Sequence, residues 1–172
     1  ELARCLRRLE GPALPGEFCL VAFGKLGGRE LNYSSDIDLL ALVDQPLAAE
    51  EQRAVRSLMG ELREDLSGHT EEGYVYRVDL RLRPFGRSGE LVSSLEGLSR
   101  YYRSQAALWE IQALLRARPV AGSATLGERF ARMRQRLVPE YMARQEADVG
   151  AAIEELRVKA RRRSGLPEGP NI

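Results

Sequence analysis

The sequence predicts an α+β fold: a small mixed or antiparallel sheet with flanking helices, followed by an α-helical region. Three observations carry this. Two short apolar runs, FCLVAF (18–23) and DIDLLALV (36–43), have the length of buried strands. YVYRVDLRLRP (74–84) alternates apolar and polar residues with a period of two. Beyond residue 93 the apolar residues recur at helical spacing. The expected division is an α/β core over 1–92 and a helical region over 93–172. At 172 residues the chain is long enough for one domain with a proper core, or one domain plus a helical extension.

Leu2, Cys5, Leu6 and Leu9 suggest a first helix, stopped by GPALPG (11–16). After the first strand comes the glycine-rich turn GKLGG (24–28), with a helical turn expected near RELNYS (29–34). The second strand is DIDLLALV. Residues 48–66 read as a helix with Val55, Leu58, Met59, Leu62 and Leu66 on one side. In the third strand Tyr74, Tyr76, Val78, Leu80 and Leu82 face the core. Arg77, Asp79, Arg81 and Arg83 share the other face, and Pro84 ends the strand. GELVSS (89–94) can add a short fourth strand. SSLE (93–96) fits a capping box of Ser93 and Glu96. Helices are then expected over roughly 94–103, 105–117, 124–136 and 140–163, punctuated by Pro119 and Pro139. The last has a thin apolar stripe for its length: Met142, Val149, Ile153, Leu156 and Ala160.

Composition narrows the function classes. The chain is 44% hydrophobic and 30% charged, which excludes disorder, and no apolar run has the length of a membrane span. Residues 1–10 are amphipathic and charged, unlike a signal peptide, and the first residue is Glu, as expected of a piece of a longer protein. Lys plus Arg total 26 against 25 Asp plus Glu, so net charge makes no case for nucleic-acid binding. Cys5 and Cys19 lack metal-binding spacing and read as reduced thiols of a cytoplasmic protein.

The chemistry concentrates in three carboxylates. Asp36 and Asp38 lie two apart on a strand and share a face, while Ile37 and Leu39 anchor the opposite one. Asp79 sits mid-strand between Val78 and Leu80. Side by side, these strands gather like charges that repel unless cations intervene. Magnesium, as a pair of ions, suits oxygen ligands shared with phosphates. The glycine turn fits the same chemistry: Gly24, Gly27 and Gly28 let the backbone approach a phosphate, and Lys25 adds charge. Ser35 offers a hydroxyl, and so does Ser34. Arg81 and Arg83 can hold phosphate oxygens or neutralise the acids. Each part has a plainer reading. A DxD pair occurs in many turns, GKLGG is neither a P-loop nor a full GxGxxG fingerprint, and an arginine-rich strand face can be a solvated edge paired with Asp79. The ordered combination is more specific than any part.

That order of glycine turn, DhDh strand and third acid resembles the DNA polymerase beta-type nucleotidyltransferase superfamily, although Lys25 stands where Gly or Ser is usual. GKLGGRELNYSSDIDL, YRVDLRLRPFGRSGELV and WEIQALLRARPVAGS together resemble the glutamine synthetase adenylyltransferase and adenylyl-removing family, over about residues 20–172. There the lysine is expected. The resemblance implies a polymerase beta-like fold and a cytoplasmic, ATP-binding, multifunctional enzyme of nitrogen metabolism. It implies metal ligation and catalysis by Asp36, Asp38 and Asp79, with nucleotide or phosphate held by Gly24, Lys25, Gly27, Gly28, Ser35, Arg81 and Arg83. It also implies glutamine synthetase as protein substrate, ATP, AMP and phosphate as small partners, and a PII-type signal protein acting through other parts of the full-length enzyme. Family members carry two such domains in tandem, and GLPEGPNI ends inside continuing family sequence. ELNYSSDIDL, YRVDLRLRPFG and NI resemble the N-terminal, AMP-removing domain, whereas WEIQALLRARPV resembles the AMP-adding one; the first is favoured.

Two other functions stay open at this point: a nucleotide-binding regulatory module without catalysis, and a same-fold transferase acting on a small molecule. Among the remaining residues, His69 reads as a surface-loop histidine, Trp109 as core, and Tyr101 and Tyr102 as packing between the halves. Glu110, Arg116 and Arg118 are candidates to brace the site from the helical region.

Overall fold

The computed structural model describes residues 17–32, 35–67, 69–70, 73–74, 76–144 and 149–164. The expected first helix, Cys5, Ser34 and the final residues lie outside these. In order, the elements are β1 (Phe18–Ala22), α1 (Gly24–Gly27), β2 (Asp36–Val43), α2 (Ala49–Ser67), β3 (His69–Thr70), β4 (Gly73–Tyr74), β5 (Arg77–Asp79), β6 (Val92–Ser94), α3 (Leu95–Ser104), α4 (Leu108–Leu115), β7 (Arg118–Gly122), α5 (Ala124–Arg144) and α6 (Val149–Ser164). The expected α+β class is borne out.

The sheet is built around β2. On one edge β2 pairs antiparallel with β1, which pairs antiparallel with β7. On the other edge β5 and β6 both run parallel to β2, β5 along its start and β6 along its end. Both faces are covered, which is why β1 and most of β2 are apolar throughout. Phe18, Leu20, Ile37 and Leu39 face α2, whose Val55, Met59, Leu62 and Leu66 are buried as their spacing predicts. Cys19, Val21, Leu40 and Leu42 face α3, α4 and α5. Burial pushes the Cys19 thiol up to about 12, so it remains a protonated core side chain.

Several local expectations are corrected. The helical turn after β1 is formed by GKLG itself, and residues 30–32 carry no regular structure. The strand expected over 74–84 shrinks to Arg77–Asp79. The Arg81 amide donates to Asp79 Oδ1 at 2.8 Å, which turns the chain out of extension. The alternation therefore fails: Tyr76, Val78 and Leu80 pack toward α2, but Leu82 joins the opposite cluster. RPVAG, expected as a link between helices, is β7, so one sheet draws on residues both before and well after residue 92. The cap of α3 is Ser94, whose Oγ accepts from the Gly97 amide at 3.1 Å, while Glu96 pairs with Arg100 at 2.6 Å. Helix α5 runs through Pro139, which is exposed together with Gln135, so the carbonyl that loses its partner lies on the solvent side. Trp109 is 48% exposed, because α4 turns Ile111 and Leu114 inward and Trp109 away from them.

Gly60 lies in the middle of α2, and a Cβ there would meet nothing within 4 Å. Gly60→Ala is therefore expected to stabilise the fold by about 1 kcal/mol, read from urea unfolding.

Candidate active site

The three predicted carboxylates are brought to one end of the β2–β5 pair. Parallel pairing sets Asp36 opposite Arg77, Ile37 opposite Val78 and Asp38 opposite Asp79. Asp38 and Asp79 are neighbours on one sheet face, with Asp36 two residues along. Partial burial raises the Asp38 pKa above the usual carboxylate range, and repulsion from Asp79 and then Asp36 adds to the shift. Asp79 goes the other way: the Arg81 guanidinium, hydrogen-bonded to its carboxylate, holds its pKa down. Two facing carboxylates whose pKa values are pushed apart suit a cation-binding site.

Two arginines occupy the flanks. Arg77 Nε donates to Asp36 Oδ1 at 2.5 Å, in an exposed pair. Arg81 Nε reaches Asp79 Oδ1 at 2.9 Å and Oδ2 at 2.7 Å, and Nη2 also donates to Oδ2. Among the described residues no three His, Cys, Asp or Glu side chains converge on one point, and Asp36 and Asp79 are each paired with an arginine. The donor set itself, three carboxylates with one repelled by the other two, fits a hard divalent cation. The expectation that Arg81 and Arg83 share a strand face with Asp79 is corrected, since both follow the strand. Arg83 braces the next loop, donating to the carbonyls of Leu80, of Gly89 at 3.3 Å and of Arg87 at 3.5 Å.

The glycine turn borders Asp38 from the β1 side. The Phe23 amide donates to the Asp38 carbonyl at 2.9 Å, fixing the turn against β2. Gly24 has φ of +55°, and a Cβ on it would lie 3.0 Å from Asp38 Oδ2. Glycine is required here both for the backbone and for room beside the carboxylate. Gly27 and Gly28 do something else. Their amides donate to the carbonyls of Phe23 and Gly24, and a Cβ on Gly27 would fall 2.2 Å from the Arg116 carbonyl. Gly27 serves close backbone packing, whereas a Cβ on Gly28 would meet nothing nearer than 3.4 Å, which leaves Gly24 as the glycine facing the acids.

Lys25 Nζ donates to Asn32 Oδ1 at 3.3 Å and Ser35 Oγ at 3.4 Å. Ser35 is buried and its hydroxyl also donates to Asn32. Lys25 and Ser35 thus form one cluster at the start of β2, held by Asn32, which the sequence reading missed. Arg118 braces the turn as expected, with Nε to the Gly27 carbonyl at 3.1 Å and Nη2 to the Leu26 carbonyl at 2.9 Å. A cation there complements the end of the helical turn. Arg116 pairs with Glu30 at 2.6 Å. Glu110 sits elsewhere, accepting from Tyr101 Oη and the Ala107 amide at 2.8 Å each. Tyr102 is buried among the second cluster, and His69 pairs with Tyr74 in the β3–β4 ribbon.

The sequence profile described as glutamate-ammonia ligase adenylyltransferase matches residues 3–133. The bifunctional glutamine synthetase adenylyltransferase/adenylyl-removing enzyme of Aromatoleum aromaticum is 44% identical over 129 residues, 75% of this chain and 13% of that protein. The enzyme of the same name from Thioalkalivibrio sulfidiphilus is 39% identical over 166 residues, 91% of this chain and 17% of the relative. The chain thus spans less than a fifth of these relatives' length. Among solved structures, a toxin–antitoxin complex with AMP-PNP aligns over 91% of this chain and 95% of its own, at a TM-score of 0.44 and 16% identity. No helix among the described residues is long and apolar enough to cross a membrane. With the family profile covering most of its length and relatives this similar along it, the chain belongs to the glutamate-ammonia ligase adenylyltransferase family.

Proposed function

We propose that this chain is a magnesium-dependent nucleotidyl-transfer domain that removes AMP from a tyrosine of glutamine synthetase by phosphorolysis. The observation that carries the reading is the parallel register placing Asp79 opposite Asp38, with Asp36 on the same face. Asp36, Asp38 and Asp79 are the residues that would hold the metal, with Arg77 and Arg81 giving up their carboxylate contacts. Bound magnesium supplies charge neutralisation for phosphate oxygens and for the departing oxygen. Gly24 keeps the approach to Asp38 open, and Lys25, positioned by Asn32 and the buried Ser35, presents an ammonium for phosphate oxygens. Released from Asp79, the Arg81 fork is placed to bind phosphate oxygens.

In the proposed reaction an oxygen of inorganic phosphate attacks the AMP phosphorus. The bond from that phosphorus to the tyrosine oxygen breaks, the tyrosine oxygen takes up a proton, and ADP is released. Orientation and charge stabilisation account for the rate, as no covalent intermediate on the protein is needed. Incubating the protein with AMP-modified glutamine synthetase, phosphate and magnesium should release ADP and restore unmodified tyrosine. With EDTA, release should stop and return on adding magnesium. Transfer from ATP onto unmodified enzyme, without ADP release from the modified one, would reverse the proposed direction. ADP release that persists in EDTA would reject the metal role.

A further inference from the structure

A cavity of about 230 Å³ opens beside the loop between β5 and β6, and neither the carboxylates nor the glycine turn line it. Pro84, Phe85, Val92 and Tyr101 form its apolar walls, and Glu90 and Ser93 add polar groups. Phe85 is 57% exposed and has φ of +62°, a backbone conformation that costs free energy for any residue but glycine. The loop holds it there nonetheless. Ser88 Oγ donates to the Phe85 carbonyl at 2.8 Å, and the Arg83 guanidinium spans the carbonyls of Leu80, Arg87 and Gly89. The Phe85 ring meets Tyr101 edge to face, with centroids 5.0 Å apart, and Tyr101 is fixed in turn by its bond to Glu110. A large ring is thus displayed to solvent on a pinned support. Glu90, exposed in the same cavity, has no hydrogen bond or ion pair among the described residues.

Aromatic walls beside an unpaired carboxylate suit a cation on an aliphatic stem. Ring faces attract the charge, the carboxylate neutralises it, and the stem covers apolar surface. The start of α3 sets a partial positive charge against this. Ser94 Oγ already accepts from the Gly97 amide there, and Glu90 carries a whole charge of the opposite sign, which also disfavours an anion. Position then selects the source of the cation. The cavity lies against α3, the helix that packs on Leu40 and Leu42 and so covers the face of β2 that Asp36 and Asp38 share. Its β6 wall pairs with Ala41, Leu42 and Val43, about 10–17 Å beyond Asp38 at the strand rise. That is further than a nucleotide carries its base from its own phosphorus, and it is the reach of a few residues of extended polypeptide. Resting on the reading that this chain acts on a protein, we infer that the cavity takes an arginine or lysine side chain of that protein, a few residues from the modified tyrosine. Phe85 is its platform and Glu90 its counter-charge.

The test uses the whole chain in two arms. In the first, binding of AMP-modified glutamine synthetase is followed by biolayer interferometry without phosphate or magnesium, so that nothing turns over. Glu90→Lys should weaken binding by roughly tenfold or more, and sodium chloride should narrow the gap. Phe85→Gly, which suits φ of +62°, should weaken it similarly, and Phe85→Tyr should retain it. In the second arm, N-acetyl-arginine amide is titrated while the ring protons of Phe85 and Tyr101 are followed by NMR, with the uncharged N-acetyl-citrulline amide as control. The arginine compound should shift both rings and the citrulline compound neither, and Glu90→Lys should abolish the shifts. Undiminished or tighter binding of the modified enzyme in Glu90→Lys overturns the proposal. So do arginine shifts that are absent, or no larger than those from citrulline. Arginine shifts without any binding of the modified enzyme would support the cation site and reject the reading that this chain acts on that protein.

Discussion

Asp38→Asn is expected to abolish AMP transfer while making the folded protein more stable. The activity loss follows from removing the central carboxylate, the one opposite Asp79 and beside Asp36. Losing one such group removes about 4 kcal/mol of transition-state stabilisation, roughly a 10³-fold fall in rate. The stability gain follows from the same geometry. Burial and two neighbouring carboxylates raise the folded-state pKa of Asp38, so its ionised form is disfavoured in the fold. An acid with a raised folded pKa costs stability fully above that pKa, and the cost vanishes below the unfolded value. The melting-temperature gap between Asp38→Asn and the unsubstituted protein should therefore be widest near neutral pH in the absence of magnesium. It should close as pH falls through the folded pKa of Asp38 toward the ordinary carboxylate value. Asp79, whose pKa is lowered, has the opposite sign: its contribution is present above the ordinary value and is lost as pH falls through its folded pKa. Thermal melts across pH, paired with the ADP-release assay, check both halves. An Asp38→Asn protein that is inactive and less stable would mean that burial and repulsion do not disfavour the ionised Asp38 in the fold.

Gly27→Ala is expected to lower both stability and activity, although Gly27 touches none of the acids. Its Cβ would sit 2.2 Å from the Arg116 carbonyl and 2.6 Å from the Ala22 carbonyl. Both neighbours are backbone, one at the end of β1 and one just before β7, and neither can swing aside as a side chain would. Relief requires α1 to move off the sheet, at a cost of about 3 kcal/mol. That movement would break the Arg118 contacts to Leu26 and Gly27, carry Gly24 away from Asp38 and pull Lys25 from Asn32 and Ser35. Gly28→Ala is the control: its nearest neighbour, the Gly24 carbonyl, would be at 3.4 Å. Urea unfolding and the transfer assay should separate the two, with Gly28→Ala close to the unsubstituted protein in both.

Much of the site is legible in the residues because its signals are local. Two aspartates two apart in an apolar strand must share a face, and a third within an apolar alternation must belong to another strand. Other features depend on where side chains find partners. The reach of the third strand is decided by the Asp79 carboxylate accepting the Arg81 amide, a contact that period-two alternation does not encode. Arg83 reads like Arg81 in sequence, yet its guanidinium is taken by three loop carbonyls. Trp109 is apolar and large but points away from the core side of α4.

The class of fold, the strand carrying Asp36 and Asp38, the buried stripe of α2 and the presence of a third acid are all encoded in residue order alone. Each follows from spacing along a single element, where backbone geometry alone decides which side chains are neighbours. That Asp79 faces Asp38, that Gly24 rather than Gly27 or Gly28 borders the acids, and that residues 118–122 return to the sheet beside β1 emerges only in three dimensions. These depend on register between segments distant in the chain, which is set by how both faces of the sheet pack at once.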